Sequence, residues 1–299
     1  MTTEPFRCSD ASVDRGEDIF GTASFVRRWL LVEQPGAWGF DAVTQSRFPH
    51  DIAAELKAKT RKLGIRLILI RRGARLAHPK RQCYFVRTDE DSRYIAHMEL
   101  KRPRDLLDLD LRPLLEGGSI EGATPHSNPV FLVCTHGRHD ACCSIRGNTV
   151  SRVACDEPGF DTWECSHIGG DRFAANLVCF PHGLYYGRVD STDVVDLMEG
   201  FRKGSVSLDH FRGRACHLFP VQAAEYFVRR ERGLKKLDDL VYRGMEPTER
   251  GLAAAFALAD GRFVEAEVAV IRTDTGILTC SATHPHAIPR YELLGITDV

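Results

Sequence analysis

Two segments in opposite halves of the chain follow the same pattern, and this similarity constrains the fold more than any other feature of the sequence. Residues 30–36 (LLVEQPG) and 131–137 (FLVCTHG) match apolar residue for apolar residue and glycine for glycine. In both halves, two further strand-like runs around a turn follow, within residues 83–100 and 177–189. Self-similarity of this kind indicates a repeated structural unit. The sequence therefore predicts two βα–ββα lobes related by a weak internal repeat, although any two α/β segments share this outline.

The elements of the first lobe are predicted from local signals. Residues 65–70 (IRLILI) form a nearly continuous apolar run, which is typical of a strand buried on both faces. A helix is predicted over residues 52–63, with Asp51 as its N-cap and Gly64 as its stop. The other predicted elements of this lobe are a strand at 29–32, strands at 83–86 and 94–100, and a leucine-rich helix at 105–115.

The second half of the chain contains the other predicted elements. In its lobe we expect strands at 131–133, 177–180 and 184–189, then a helix that begins near Val194 and is capped by Ser191 or Thr192. Beyond Gly204 the sequence predicts a helix at 221–232 and strands at 254–258, 262–272 and 276–280.

Composition shifts along the 299 residues suggest where the units begin and end. We expect a flexible tail at 1–20, an N-terminal lobe at 21–116, a second lobe at 130–205 and a small α/β appendage at 206–299. Residues 117–129 are rich in Gly, Ser, Pro and Asn, and they are interpreted as a linker.

Cysteine usage points to the chemistry of the chain. Six of the ten cysteines lie between Cys134 and Cys179. The first twenty residues are acidic and polar, unlike a signal peptide, so a cytoplasmic location is expected. In that reducing compartment a cysteine cluster more often indicates metal or redox chemistry than disulfides. Cys8, Cys155, Cys216 and Cys280 have no partner at ligand spacing, and Cys142 is interpreted as a core or spare thiol.

The candidate ligands follow two predicted strands. Cys134 ends a strand, and Cys143 follows after eight intervening residues; Cys165 and His167 lie at a second strand end, four residues before Asp171. Two such pairs at one edge of a sheet can hold a small metal centre. Structural zinc usually has a narrower Cys-x2-4-Cys spacing, whereas an iron–sulfur cluster tolerates wider loops and accepts His in place of Cys.

The same residues carry a resemblance to a known family. CTHGRHDACC (134–143), SHIGGDRFAAN (166–176), FPHGLYYGRV (180–189) and WLLVEQPGAWG (29–39) resemble the sucrase/ferredoxin-like family, which includes thioredoxin-like [2Fe-2S] ferredoxins. The resemblance covers the chain from about Trp29 to Val189. It implies thioredoxin-like lobes and a [2Fe-2S] cluster held by Cys134 and Cys143 and by a second pair at His167 and Asp171.

The chain departs from the family at Asp171, because family members often have a second His at this position. Asp171 would supply an oxygen, which is a harder and rarer ligand for cluster iron, so Cys165 is an alternative fourth ligand. Asp171 also has an alternative role as the N-cap of a helix over 172–176. The N-terminal lobe has Glu33 where the second lobe has Cys134, so we expect no cluster there. The resemblance also suggests that Pro181 is cis and faces the redox site; an ordinary trans turn proline is the alternative.

These features favour an electron carrier whose partners are a reductase and an acceptor, rather than an enzyme. A zinc-stabilised binding module or a thiol oxidoreductase is the alternative, although the chain has no Cys-x-x-Cys. A glycoside hydrolase needs a pair of carboxylates, and no such pair stands out in the sequence.

The balance of 40 Lys and Arg against 41 Asp and Glu argues against a dedicated nucleic-acid-binding protein. No apolar run approaches the ~18 residues of a membrane span.

Overall fold

A computed structural model of the chain describes residues 5–73 and 80–299. The helices are α1 (Cys8–Asp14), α2 (His50–Lys62), α3 (Asp105–Asp108), α4 (Pro113–Glu116), α5 (Ala141–Asp156), α6 (Val194–Arg202) and α7 (Phe219–Arg232). The strands are β1 (Arg28–Glu33), β2 (Arg66–Arg71), β3 (Arg81–Arg87), β4 (Tyr94–Leu100), β5 (Thr124–Pro125), β6 (Val130–Cys134), β7 (Asp161–Cys165), β8 (Leu177–Phe180), β9 (Leu184–Tyr186), β10 (Phe211–Arg214), β11 (Leu240–Pro247), β12 (Leu252–Leu258), β13 (Phe263–Gly276) and β14 (His286–Asp298).

The two lobes have the same strand connectivity. In the first, β1 pairs parallel with β2 and antiparallel with β3, which pairs antiparallel with β4. In the second, β6 pairs parallel with β7 and antiparallel with β8, which pairs antiparallel with β9. The predicted α/β class and the internal repeat are therefore confirmed.

One continuous sheet passes through both lobes. Antiparallel pairing of β2 with β7 joins them, and the order of the described strands is β10-β9-β8-β6-β7-β2-β1-β3-β4-β5. Side chains of β1 alternate between two apolar clusters: Leu30 and Val32 pack with α2, whereas Trp29 and Leu31 pack with Trp163 of the second lobe. Burial on both faces explains the near-continuous apolar composition of the central strands.

The last part of the chain adds α7 and a separate antiparallel sheet in the order β11-β12-β13-β14. The apolar faces of α7 and of β13 belong to one core cluster with strands of the second lobe. The strand predicted at 276–280 is wrong, because β13 ends at Gly276 and the chain then turns. Strand β14, which pairs along most of β13, was not predicted.

Several predicted boundaries and caps need correction. The leucine-rich segment at 105–115 forms two short helices, α3 and α4, instead of one. Asp51 lies inside the first turn of α2, whose N-cap is Pro49, and the N-cap of α6 is Asp193 instead of Ser191 or Thr192. The interpreted linker contributes β5, which pairs with the edge of β4.

The expected flexible tail is wrong for residues 8–14, which form a helix with buried side chains. Residues 8–14 form α1, which buries Cys8, Ser9 and Ser12 and lies against the short 3₁₀ helix Asp171–Phe173. The small polar side chains that face the protein resemble those of a solvated segment, so the composition of the segment concealed its packing.

Pro181 lies away from the predicted redox site. The Phe180–Pro181 peptide bond is cis. However, Phe180 pairs with Val130 at the start of β6, whereas Cys134 is at the end of β6 and its amide donates to the Asn176 carbonyl. Pro181 is therefore at the opposite end of the strand from Cys134, and the prediction that it faces the site is wrong.

A buried charged cluster connects α7 to the edge of the large sheet. The Glu225 carboxylate accepts hydrogen bonds from Arg214 Nε at 3.0 Å and from Arg229 Nε at 2.9 Å, and all three side chains are at most 1% exposed. Burial alone would raise the pKa of Glu225, but the two guanidinium groups hold this pKa well below its usual range.

In the described part of the chain, no helix combines the length and the apolar character required to cross a membrane.

Candidate metal centre

The predicted ligands come together at one edge of the large sheet. Cys134 is the last residue of β6, and Cys143 lies in the first turn of α5, which follows β6 after a short loop. His167 and Asp171 lie in the connection between β7 and β8. Because β6 and β7 are parallel, their carboxyl ends meet at the same edge, and this brings both loops together.

Four side chains converge there. The ligand atoms of Cys134, Cys143 and His167 all lie within 4.8 Å of one another. Asp171 Oδ1 accepts a hydrogen bond from Cys143 Sγ at 3.0 Å and lies 2.9 Å from His167 Nδ1. We call these four residues the strand-end site.

Cys165 is positioned differently. It is the register partner of Cys134 on β7, and its side chain is completely buried in the apolar cluster between the lobes. Among the described residues, Cys165 is not part of any group of three or more ligand atoms within 4.8 Å of one another. The alternative of Asp171 as a helix cap is wrong, because Gly170 is the N-cap of the short 3₁₀ helix and the Asp171 carboxylate contacts Cys143 and His167.

A buried arginine holds the loop that carries His167 and Asp171. Gly169 and Gly170 have φ values of 99° and 82°, which glycine adopts at little cost. Beneath them, Arg212 donates to the Gly169 carbonyl at 3.1 Å and to Asn176 Oδ1 at 2.8 Å. Asn176 in turn donates to the Gly170 carbonyl at 2.9 Å. The conformation of the loop is thus determined by side chains that the sequence analysis did not single out.

The N-terminal lobe covers the strand-end site. His136 Nε2 lies 2.7 Å from the Gly39 carbonyl, and the His167 amide donates to His136 Nδ1 at 3.2 Å. This pair of contacts requires the Nε2–H tautomer of His136. The ring of His139 stacks on His167 at 3.7 Å and on Phe40 at 5.1 Å. These contacts join the two lobes, so no spacing within one segment of the sequence predicts them.

The thiols of the site have sharply different acidities. Hydrogen bonds from Cys143 and Cys165 lower the pKa of Cys134 well below its usual value, despite complete burial. The hydrogen bond to Cys134, together with burial, raises the pKa of Cys143 well above its usual value. Burial also raises the pKa of Cys165. The shared hydrogen bond therefore favours ionisation of one thiol of the Cys134–Cys143 pair over ionisation of both.

The imidazole of His167 is positioned as a ligand. Burial alone would lower its pKa, but Asp171 and Cys134 raise this pKa to about 9. His167 Nδ1 is buried and, although close to Asp171, has no hydrogen-bond partner of acceptable geometry among the described residues. A buried nitrogen without a hydrogen bond is costly unless it binds something else. Two buried thiols beside this nitrogen fit an iron–sulfur cluster or another thiophilic metal.

Comparison with protein families shows to which family the chain belongs. A model described as sucrase/ferredoxin-like matches residues 19–213, which is more than half of the chain and includes the whole strand-end site. The chain belongs to the sucrase/ferredoxin-like family. The resemblance seen in the sequence motifs is therefore confirmed, and the matched residues include the whole strand-end site.

Individual similarities are more limited. The chain is 30% identical over 98 residues to altered inheritance of mitochondria protein 32 of Meyerozyma guilliermondii, across 29% of this chain and 35% of the relative. The chain thus spans about a third of the length of the curated relative it matches. A thioredoxin-like [2Fe-2S] ferredoxin from Aquifex aeolicus matches 31% of this chain and 97% of its own, at 15% identity and a TM-score of 0.27. A cysteine-to-serine variant of that ferredoxin matches 25% of this chain and 88% of its own, at 19% identity and a TM-score of 0.22.

Proposed function

We propose that the chain is a one-electron carrier whose second lobe binds a [2Fe-2S] cluster at the strand-end site. The observation that carries this proposal is the convergence of two buried thiols and a buried imidazole nitrogen in a member of the sucrase/ferredoxin-like family. When bound, a [2Fe-2S] cluster accepts and releases one electron. The proposal includes a reductase and an acceptor protein as partners.

Each residue of the site has a distinct task in this proposal. Cys134 and Cys143 bind as thiolates, and the low pKa of Cys134 favours its ionised form before the metal binds. His167 binds through a ring nitrogen, and its buried Nδ1 has no hydrogen-bond partner among the described residues. Asp171 is favoured over Cys165 as the fourth ligand because its oxygen lies 3.0 Å from Cys143 Sγ.

The burial pattern supports a role in electron transfer. Cys134, Cys143 and Asp171 are at most 4% exposed, whereas the His167 side chain is 24% exposed. The site is therefore shielded from water on most sides and approaches the surface at an imidazole. A redox partner that docks over His167 and His139 would come nearest to the site, so we propose this surface as the place of electron exchange.

The test is the metal content of three variants of the full chain purified without oxygen. Cys134→Ser and Cys143→Ser should each lose most of the iron and acid-labile sulfide, because a serine oxygen is a poor ligand for this iron. Cys155→Ser is the matched control, since Cys155 lies at the far end of α5, and it should keep both. Full iron content in the first two variants would reject the site, and zinc in place of iron would favour a zinc-stabilised binding module.

A further inference from the structure

Three cysteines outside the strand-end site form a second cluster. They come from α1, from the first turn of α5 and from the turn after β13, and an aspartate that caps α5 lies among them. The members of this three-cysteine cluster are Cys8, Cys142, Cys280 and Asp140. Their ligand atoms all lie within 4.8 Å of one another. Two of the cysteines are separated by 272 positions in the chain, so only the fold brings them together.

The distances within the cluster match the edges of a tetrahedral metal site. Cys142 Sγ lies 3.3 Å from Cys280 Sγ, and Cys280 Sγ lies 3.6 Å from Cys8 Sγ. Both carboxylate oxygens of Asp140 are 3.6 Å from Cys8 Sγ. Zn–S and Zn–O bonds of ordinary length place two sulfurs about 3.8 Å apart and a sulfur and an oxygen about 3.5 Å apart in a tetrahedron.

The surroundings of the cluster provide hydrogen bonds to anionic ligands. Ser9 Oγ donates to Cys142 Sγ at 3.3 Å, and the Cys8 amide donates to Cys280 Sγ at 3.5 Å. The amides of Cys142 and Cys280 donate to the two oxygens of Asp140 at 2.9 and 2.6 Å. Outer hydrogen bonds of this kind orient ligands in metal sites. The N-terminus of α5 adds a positive dipole end beside Cys142.

The cluster also has an access route and compensating charge. A cavity of about 350 Å³ beside Cys142 is lined by Arg7, Arg146 and Asp10, and the Asp10 carboxylate pairs with Arg146 at 2.7 Å. An ion can enter from this side, and the net positive charge of this lining offsets part of the negative charge of a thiolate-rich site. Cys8 and Cys142 are nevertheless at most 1% exposed, so the ligands themselves are shielded.

We propose that the three-cysteine cluster binds one Zn²⁺ ion through its three thiolates and its carboxylate. Binding releases to solvent the protons that the thiols carry, and no electron is transferred. Four protein ligands leave no open position, which is characteristic of a structural zinc site. The ion ties the N-terminal helix and the C-terminal sheet to the start of α5. Because Cys143 is the next residue after Cys142, the zinc site also steadies the helix turn that supplies a ligand of the strand-end site.

The test compares zinc and iron contents of the full chain and three variants, expressed with both metals. The wild type should contain about one zinc ion per chain. Cys280→Ser should lose the zinc and keep the iron; Cys280 is partly exposed, so serine is tolerated there. Cys134→Ser should lose the iron and keep the zinc, and Cys155→Ser should keep both. The two sites are thus tested separately, and failure of one leaves the other standing.

Alkylation of the wild type gives a second readout that does not depend on a variant. Iodoacetamide should label Cys8, Cys142 and Cys280 only after a strong chelator removes the zinc, as located by peptide mass spectrometry. The proposal is overturned if reduced wild-type protein takes up no zinc, if Cys280→Ser retains it, or if Cys134→Ser loses it. A disulfide between Cys142 and Cys280 that persists in zinc-supplemented protein also overturns it.

Discussion

Gly170→Ala tests how tightly the loop of the strand-end site is determined. Gly170 has φ 82°, and a Cβ added there would lie 2.6 Å from Cζ of the buried Arg212 and closer still to one of its terminal nitrogens. Arg212 has little freedom to move away, because it donates hydrogen bonds to Gly169, Asn176 and Thr22. The substitution therefore combines an unfavourable backbone conformation with a clash against a fixed side chain.

The chain offers a matched control that separates these two effects. Gly159 has nearly the same φ, 83°, but its added Cβ would meet no atom within 4 Å. Gly159→Ala should lower the free energy of unfolding by about 1 kcal/mol through backbone strain alone. Gly170→Ala should lower it by about 2–4 kcal/mol, since overpacking adds about 1–3 kcal/mol.

The assay is urea unfolding of both variants and the wild type without oxygen, with iron measured on the same preparations. Gly170→Ala should also lose iron, because the displaced loop carries His167 and Asp171, whereas Gly159→Ala should keep it. Equal unfolding free energies and equal iron contents in the two variants would refute the claim that Arg212 holds the loop in place.

Two further predictions concern buried charges and the choice of ligand. Glu225→Gln removes the carboxylate that the two buried guanidinium groups share and, among the described carboxylates, leaves Arg214 only its 3.4 Å contact with Glu90, so it should lower the free energy of unfolding by about 3–5 kcal/mol, whereas Glu231→Gln, in an exposed ion pair, should change it by at most about 0.5 kcal/mol. The pKa of Glu225 is lower in the folded than in the unfolded chain, so its stabilising effect is present above pH 4.5 and is lost as the pH falls towards the folded-state pKa. The unfolding free energies of wild type and Glu225→Gln should therefore converge in acid. A difference between these two free energies that does not change with pH would contradict this. Asp171→Ala should lose most of the iron and Cys165→Ala should retain it, measured by metal analysis; the opposite result would make Cys165 the fourth ligand.

The sequence was most informative where structure is determined by neighbouring residues. The predicted strands of both lobes, the repeated connectivity and the stop of α2 at Gly64 follow from apolar periodicity and turn residues. These predictions are confirmed within one or two residues, except that β9 ends at Tyr186 instead of residue 189. The convergence of Cys134 with His167 was predicted from parallel strand ends and from the family motifs, and the structure brings both residues to one edge.

Contacts between distant parts of the chain were not predictable in this way. The antiparallel join of β2 and β7 depends on the packing of two lobes that each resemble a complete unit. No spacing within one segment of the sequence gives Cys8 or Cys280 a partner, yet the two residues meet across nearly the whole chain. Helix α1 was missed for the same reason, since its buried face contacts residues that follow Cys165 in the sequence.

The most direct test of the central claim is quantitative electron paramagnetic resonance of the full chain after chemical reduction without oxygen. The account predicts a signal of about one unpaired electron per chain, as for a reduced [2Fe-2S] cluster, that disappears on reoxidation and is lost in Cys134→Ser. A protein that gives no such signal while its iron and sulfide are present, or a signal that Cys134→Ser leaves unchanged, would contradict the assignment of a one-electron cluster to the strand-end site.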